Sequence, residues 1–121
     1  PYALGRRFRL GKNRQFQYVY RRGKSFPGRQ MVLIYVKAKE LQVGFSVSAK
    51  VGNSVVRSRV KRRMREDFRL LRPRLKPGKY VFVARASAAQ ADAAAMGKTM
   101  RYLLNKARLF LQDAPSGASK D

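Results

Sequence analysis

Neither cysteine nor histidine occurs among the 121 residues, and the two absences remove most of the side-chain chemistry on which a small enzyme depends. Without cysteine there are no disulfides and no thiolate metal sites, which fits a reducing compartment. Without histidine the chain lacks the usual general base and the commonest zinc ligand, so Ser/His/Asp, Cys/His and zinc-hydrolase mechanisms built from this chain alone are excluded. Acids are scarce as well, limited to Glu40, Glu66, Asp67, Asp92, Asp113 and Asp121. Only Glu66 and Asp67 adjoin, and neighbours on a helix point about 100° apart, so they read as solvated helix charges rather than a catalytic pair. No catalytic residue, protein-bound metal or protein-bound cofactor is expected. Long apolar runs are missing too. The longest, Met31–Val36 and Tyr80–Ala84, fall far short of the roughly 20 residues that cross a bilayer, and no signal-peptide h-region opens the sequence. The expectation is a soluble, cytoplasmic protein with no membrane partner.

Positive charge is what the chain has in excess. Twenty-nine Lys and Arg give a formal charge of +23, and a compact domain carrying it repels itself unless something anionic neutralises it. A polyanionic partner is implied. The length suits a single domain that buries roughly two thirds of its unfolded surface, so a core without metals or disulfides is feasible. For the partner, RNA, DNA, anionic membrane and acidic proteins are the candidates, and composition does not separate the nucleic acids. We expect one domain over residues 1–113, with a basic N-terminal segment at 1–11 and a disordered Pro/Gly/Ser tail at 114–121.

Residues Asn13 to Arg22 place Phe16, Val19 and Tyr20 at helical spacing before Gly23, which predicts a short first helix. A turn follows at Phe26-Pro27-Gly28, then a strand from Met31 to Lys37 that is apolar on both faces. Val43 to Ser48 alternates, with Val43, Phe45 and Val47 on one face and Gly44, Ser46 and Ser48 on the other. From Ser54, apolar residues at Val56, Val60, Met64, Phe68 and Leu71 predict a long central helix ending before Pro73, capped by Asn53 or Ser54. Lys79 to Arg85 reads as another strand. A last helix is expected near 93–112, capped by Asp92 and carrying Met96, Met100, Leu103, Leu104, Ala107 and Leu111. Over 86–99 alanine favours helix, while Gly97 argues for an interruption.

Arg57, Arg59, Lys61, Arg62, Arg63 and Arg65 put six cations into nine residues of the central helix. A merely solvated helix intersperses both signs, yet no acid appears before Glu66. Phosphate binding explains the pattern better, because arginine grips phosphate oxygens with a planar fork and the helix start near Asn53 adds unpaired amides. On the first helix Phe16, Tyr18 and Tyr20 lie close to Arg14, Arg21 and Arg22. These rings suit either the core or the stacking of single-stranded bases. The Gly44, Ser46, Ser48 face suits either a close-packed helix or a groove.

The run Val43-Gly44-Phe45-Ser46-Val47-Ser48, continued by Lys50-Val51-Gly52-Asn53-Ser54-Val55-Val56-Arg57-Ser58-Arg59-Val60-Lys61-Arg62-Arg63-Met64-Arg65-Glu66, resembles the signature of the bacterial ribonuclease P protein family. The likeness extends to Arg9-Leu10, Lys12-Asn13, Phe16, Gly23-Lys24-Ser25, Arg29-Gln30 and Val83-Ala84-Arg85, covering roughly residues 9–112. It implies an α+β fold, an α/β sandwich of about three helices on a mixed sheet of about four strands in the order αβββαβα, with a left-handed βαβ crossover. It further implies a protein subunit of a ribonucleoprotein endonuclease, in which a catalytic RNA subunit removes the 5′ leader of precursor tRNA with Mg2+ held by RNA and substrate. By this resemblance Asn53, Arg57, Arg59, Lys61, Arg62 and Arg65 contact the catalytic RNA, and Phe16, Tyr20, Ser48, Lys50 and Arg85 contact the precursor tRNA leader. No obligate protein partner is evident. The chain departs from the family pattern at Ser58, where Asn is usual, at Ala49 and Ala86, where Lys is common, and at Tyr20, where Phe is common. Two other readings share the charge: a ribosomal or other structural RNA-binding protein, and a membrane-active amphipathic protein. The narrow stripe of Val56, Val60, Met64 and Phe68 suits packing on a sheet better than lying on a bilayer.

Overall fold

The structure, a computed structural model, describes residues 5–111; the tail expected at 114–121 and the first four residues of the basic segment lie outside them. The elements in chain order are α1 (Asn13–Arg22), β1 (Lys24–Pro27), β2 (Met31–Val36), β3 (Gln42–Ser46), α2 (Ser54–Leu71), β4 (Lys79–Ala84) and α3 (Ala93–Lys106), the expected order. The strands form one mixed sheet ordered β1-β2-β4-β3, antiparallel except for β3 and β4. Helix α2 joins these two parallel neighbours.

Strand alternation divides the apolar residues between two faces. Met31, Leu33, Val43, Phe45, Tyr80 and Phe82 point to one side and meet Val60, Met64 and Phe68 of α2 with Met96, Met100, Leu103 and Leu104 of α3. Phe68 stands edge-on to Phe82 and Tyr80 at ring distances of 5.7 and 5.4 Å. Such ring pairs add about 0.5–1.5 kcal/mol each beyond their buried area, so Phe68 fixes how far α2 slides along the sheet. Val81, Ile34 and Val83 point to the other side, where α1 is the covering helix, through Val19 and Phe16 beside Leu10. Leu10 also donates its amide to Val43 O at 2.9 Å, which shields the outer edge of β3.

Several expectations change. Phe26 and Pro27 are strand residues, paired with Leu33 and Val32; β1 lies at the sheet edge, where a proline without an N–H is tolerated. The turn falls one step later, with Gly28 N bonded to Met31 O at 2.9 Å. Strand β3 stops at Ser46, so Val47 and Ser48 belong to the loop into α2. Helix α3 ends at Lys106 rather than near 112. Arg108 adopts a left-handed φ of 58°, and the chain turns back so that Lys76 N reaches Leu109 O and Leu111 N reaches Arg74 O. Burying Leu109 in this way leaves Leu111 exposed. Gly97 interrupts nothing: it is a buried helical residue where α3 crosses α2, with Arg101 and Asp67 close to the space its missing side chain leaves.

Candidate RNA interface

Asn53, not Ser54, caps α2, its Oδ1 accepting the amide of Val56 at 3.0 Å. With Val60, Met64 and Phe68 on the sheet, 3.6 residues per turn sends the cations outward along two flanks rather than onto one face. Arg57, Lys61 and Arg65 follow one another at intervals of four residues on one flank. Arg59, Arg62 and Arg63 occupy the flank towards α3. Two of the six are positioned by backbone carbonyls, Arg57 Nε by Gly52 O at 3.1 Å and Arg59 Nη2 by Ala89 O at 3.2 Å. Arg63 lies 3.8 Å from Asp67. Lys61, Arg62 and Arg65 make no hydrogen bond or ion pair among the described residues, so their charge is available to an external anion.

Asp67 corrects the expectation that both adjacent acids are solvated. Its side chain is 14 % exposed, and its Oδ2 is buried without a hydrogen bond. Burial pushes the Asp67 carboxyl above the usual aspartate range, against the attraction of Arg63 and Arg101. Glu66 stays on the surface, and its hydrogen bonds from Arg69 hold its carboxyl below the usual glutamate range. The two side chains diverge around the helix and do not act as a pair. No three residues of the His, Cys, Asp and Glu types cluster among the described residues.

A second surface lies on the α1 side of the sheet. Phe16 sits over Gly44, where an added methyl group would come under 3.0 Å from the ring. Glycine here lets α1 approach closely, since any larger residue would displace the Phe16 ring. The paired row Ile34, Val81, Gly44 runs beneath that helix. The next row outward, Val32, Val83, Ser46, is paired across the same three strands, and all three residues are only half-buried. A helix about 10 Å wide cannot cover strands of about 20 Å, so a trough remains beside α1. The Gly44, Ser46, Ser48 face thus serves both of its readings, with Gly44 accepting the helix and Ser46 flooring the trough.

Phe16 and Tyr20 stand on the α1 wall, their ring centres 6.4 Å apart. Phe16 is half-buried and Tyr20 exposed, so core and surface roles divide along one helix face. Ser46 pairs with Val83, and two residues further on Ser48 and Arg85 leave the same end of neighbouring strands. Lys50 follows, its amide bonded to Ser48 Oγ at 3.3 Å. Ser48, Lys50 and Arg85 are all exposed at this end of the sheet. Val32 and Val83, half-buried on this face, carry no mark in the sequence pattern as floor residues. Apolar character on both faces of β2 suggested full cover, whereas the single short helix left for that face was the signal against it.

A basic α+β domain with a two-flanked arginine helix and an aromatic-walled trough defines an RNA-binding protein. Comparison with known proteins is more specific. The Ribonuclease P family model matches residues 4–108. Ribonuclease P protein components from Exiguobacterium sp. and Bacillus velezensis are 39 % and 41 % identical, over 88 % of this chain and 96 % and 95 % of theirs. The solved Staphylococcus aureus RNase P protein superposes with a TM-score of 0.80 at 29 % identity, covering 85 % of this chain and 97 % of that one. The chain belongs to the ribonuclease P protein family. Its role is that of the protein component of ribonuclease P, part of an endoribonuclease complex with an RNA partner in tRNA processing. No helix among the described residues is long and apolar enough to cross a membrane.

Proposed function

We propose that the protein bridges two RNAs, the catalytic RNA subunit on α2 and the 5′ leader of precursor tRNA in the trough beside α1, in the cytoplasm. The observation that carries this is the placement of two RNA-suited surfaces on opposite faces of one sheet. They meet where β3 and β4 end and the loop through Ser48, Lys50 and Asn53 turns from one to the other. Arg57, Arg59, Lys61, Arg62 and Arg65, with Asn53 at the helix start, face the RNA subunit. Phe16 and Tyr20 offer ring faces to unstacked leader bases, a sequence-tolerant interaction of about 1–3 kcal/mol per base. Ser48, Lys50 and Arg85 hold the leader where β3 and β4 end.

The chemistry then belongs to the RNA, whose bound Mg2+, shared with the substrate, supplies the activated nucleophile. What this chain does is neutralise phosphate, which lets two polyanions approach at lower Mg2+. Support comes from the absence of histidine and from the separation of Glu66 and Asp67 described above. The test is cleavage of a 5′-extended precursor tRNA by a bacterial catalytic RNA at low Mg2+ across a salt series. Wild type restores 5′ maturation. Arg62→Ala/Arg65→Ala needs more protein to do so, with a log–log salt slope shallower by about 1 per lost phosphate contact. RNA binding without any effect on cleavage overturns the proposal and favours a structural RNA-binding role.

A further inference from the structure

Between α2 and the start of α3 lies a groove of about 400 Å3 whose lining includes Arg59, Arg62 and Glu66 with Val60, Ala93 and Met96. It is separate from the trough, being on the opposite face of the sheet. Its volume falls in the range of small-ligand sites, and its chemistry is divided: arginines and one acid around an apolar base. The walls are low because the segment leading into α3 is alanine-rich, with Ala88 buried and Ala91 half-buried along this side.

We propose that this groove receives a single unstacked nucleotide of the partner RNA, its phosphate on Arg59 and Arg62 and its base against Val60 and Met96. The inference rests on the reading that α2 faces RNA. Arg59 is already oriented by its bond to Ala89 O, and Arg62 has no partner among the described residues, so one guanidinium is preset and the other is free to close on phosphate. The end of α3 contributes little to the anion, because Asp92 occupies it with a bond from Ala95 N at 2.8 Å. Arg59 and Arg62 also border the adjoining depression along Ser54 and Ser58, of about 340 Å3. They form a ridge between two hollows, which suits a phosphodiester linking neighbouring nucleotides better than a free one.

Glu66 stands at the edge of the groove with both carboxylate oxygens already accepting from Arg69, so it leaves Arg59 and Arg62 uncompensated and their charge open to phosphate.

The experiment is an amide-resolved NMR titration of the full chain with GMP, UMP and inorganic phosphate, followed by assembly with a bacterial catalytic RNA. Two variants carry the same added charge on the first turn of α3, where acids favour the helix: Ala93→Glu, inside the groove, and Ala94→Glu, exposed and outside its lining. GMP and UMP are each expected to shift groove residues and to bind more tightly than phosphate, because only they place a base on Val60 and Met96. Ala93→Glu should weaken GMP and catalytic RNA binding about tenfold, and Ala94→Glu by no more than about twofold. Equal affinity for GMP and phosphate, or equal loss in the two variants, overturns the nucleotide site. If Ala93→Glu assembles like wild type while Arg62→Ala/Arg65→Ala does not, this inference fails and the arginine-helix reading stands; if neither variant affects assembly, both fail.

Discussion

Replacing Gly44 by alanine tests whether Phe16 serves the core, the trough or both. The added methyl would lie under 3.0 Å from Phe16 Cε1 and Cζ and 3.2 Å from Leu10 Cδ1. Carbon atoms settle at about 3.5–4.0 Å, so the ring must retreat by about an ångström. It is held from below by β3 and flanked by Tyr20, so relief comes from lifting α1 or rotating the ring into the trough. Overpacking of this kind costs about 1–3 kcal/mol, which lowers the melting temperature by roughly 4–12 °C in a domain of about 100 residues. Phe16→Leu on its own also destabilises, by removing part of a half-buried ring. The double variant Gly44→Ala/Phe16→Leu should be more stable than the sum of the single effects predicts, by well over the 0.3–0.5 kcal/mol within which independent sites add. Stability would be followed by urea unfolding, and function by competition between leader-bearing precursor and mature tRNA. The double variant recovers stability but not discrimination, because leucine fills space without offering a ring face. Strict additivity in unfolding would show that Phe16 does not rest on Gly44, and full recovery of discrimination would remove the ring from leader binding.

Asn53→Ala removes the cap on α2 and should lower stability by about 1 kcal/mol, measured by calorimetry; an unchanged melting temperature contradicts the capping bond. Asp67→Asn should stabilise the protein at neutral pH. The folded state raises the pKa of this acid, so folding favours the protonated form. The stability it contributes is present below the ordinary aspartate value and is lost as pH rises through the raised folded value. Urea unfolding should therefore show wild type and variant converging in acid and separating, with the variant more stable, at neutral pH. A wild type more stable than the variant at neutral pH would mean that Arg63 and Arg101 outweigh the burial.

Local rules written in the chain determine much of this protein. Val60, Met64 and Phe68 recur at helical spacing, so the orientation of α2 and the outward direction of its cations follow from periodicity alone. Asp92 announces the start of α3, and the excess of Lys and Arg over acid requires a polyanion. The long run from Val43 to Glu66 carries the family resemblance, and with it the order of elements. Tertiary structure decided what depends on residues far apart in sequence. Pro27 could enter a strand only because β1 came to lie at an edge. Leu111 lost its expected place in the helical stripe because the chain turned back after Lys106 and buried Leu109 in the same core as Leu75 instead. Asp67 was buried by the approach of α3 at Gly97, which no rule about neighbours on one helix anticipates. The trough exists because one short helix cannot cover a four-stranded sheet, and the groove between α2 and α3 exists because alanines happen to face arginines across it. Such features are set by which surfaces compete for burial, and that competition is settled only when the whole chain has packed.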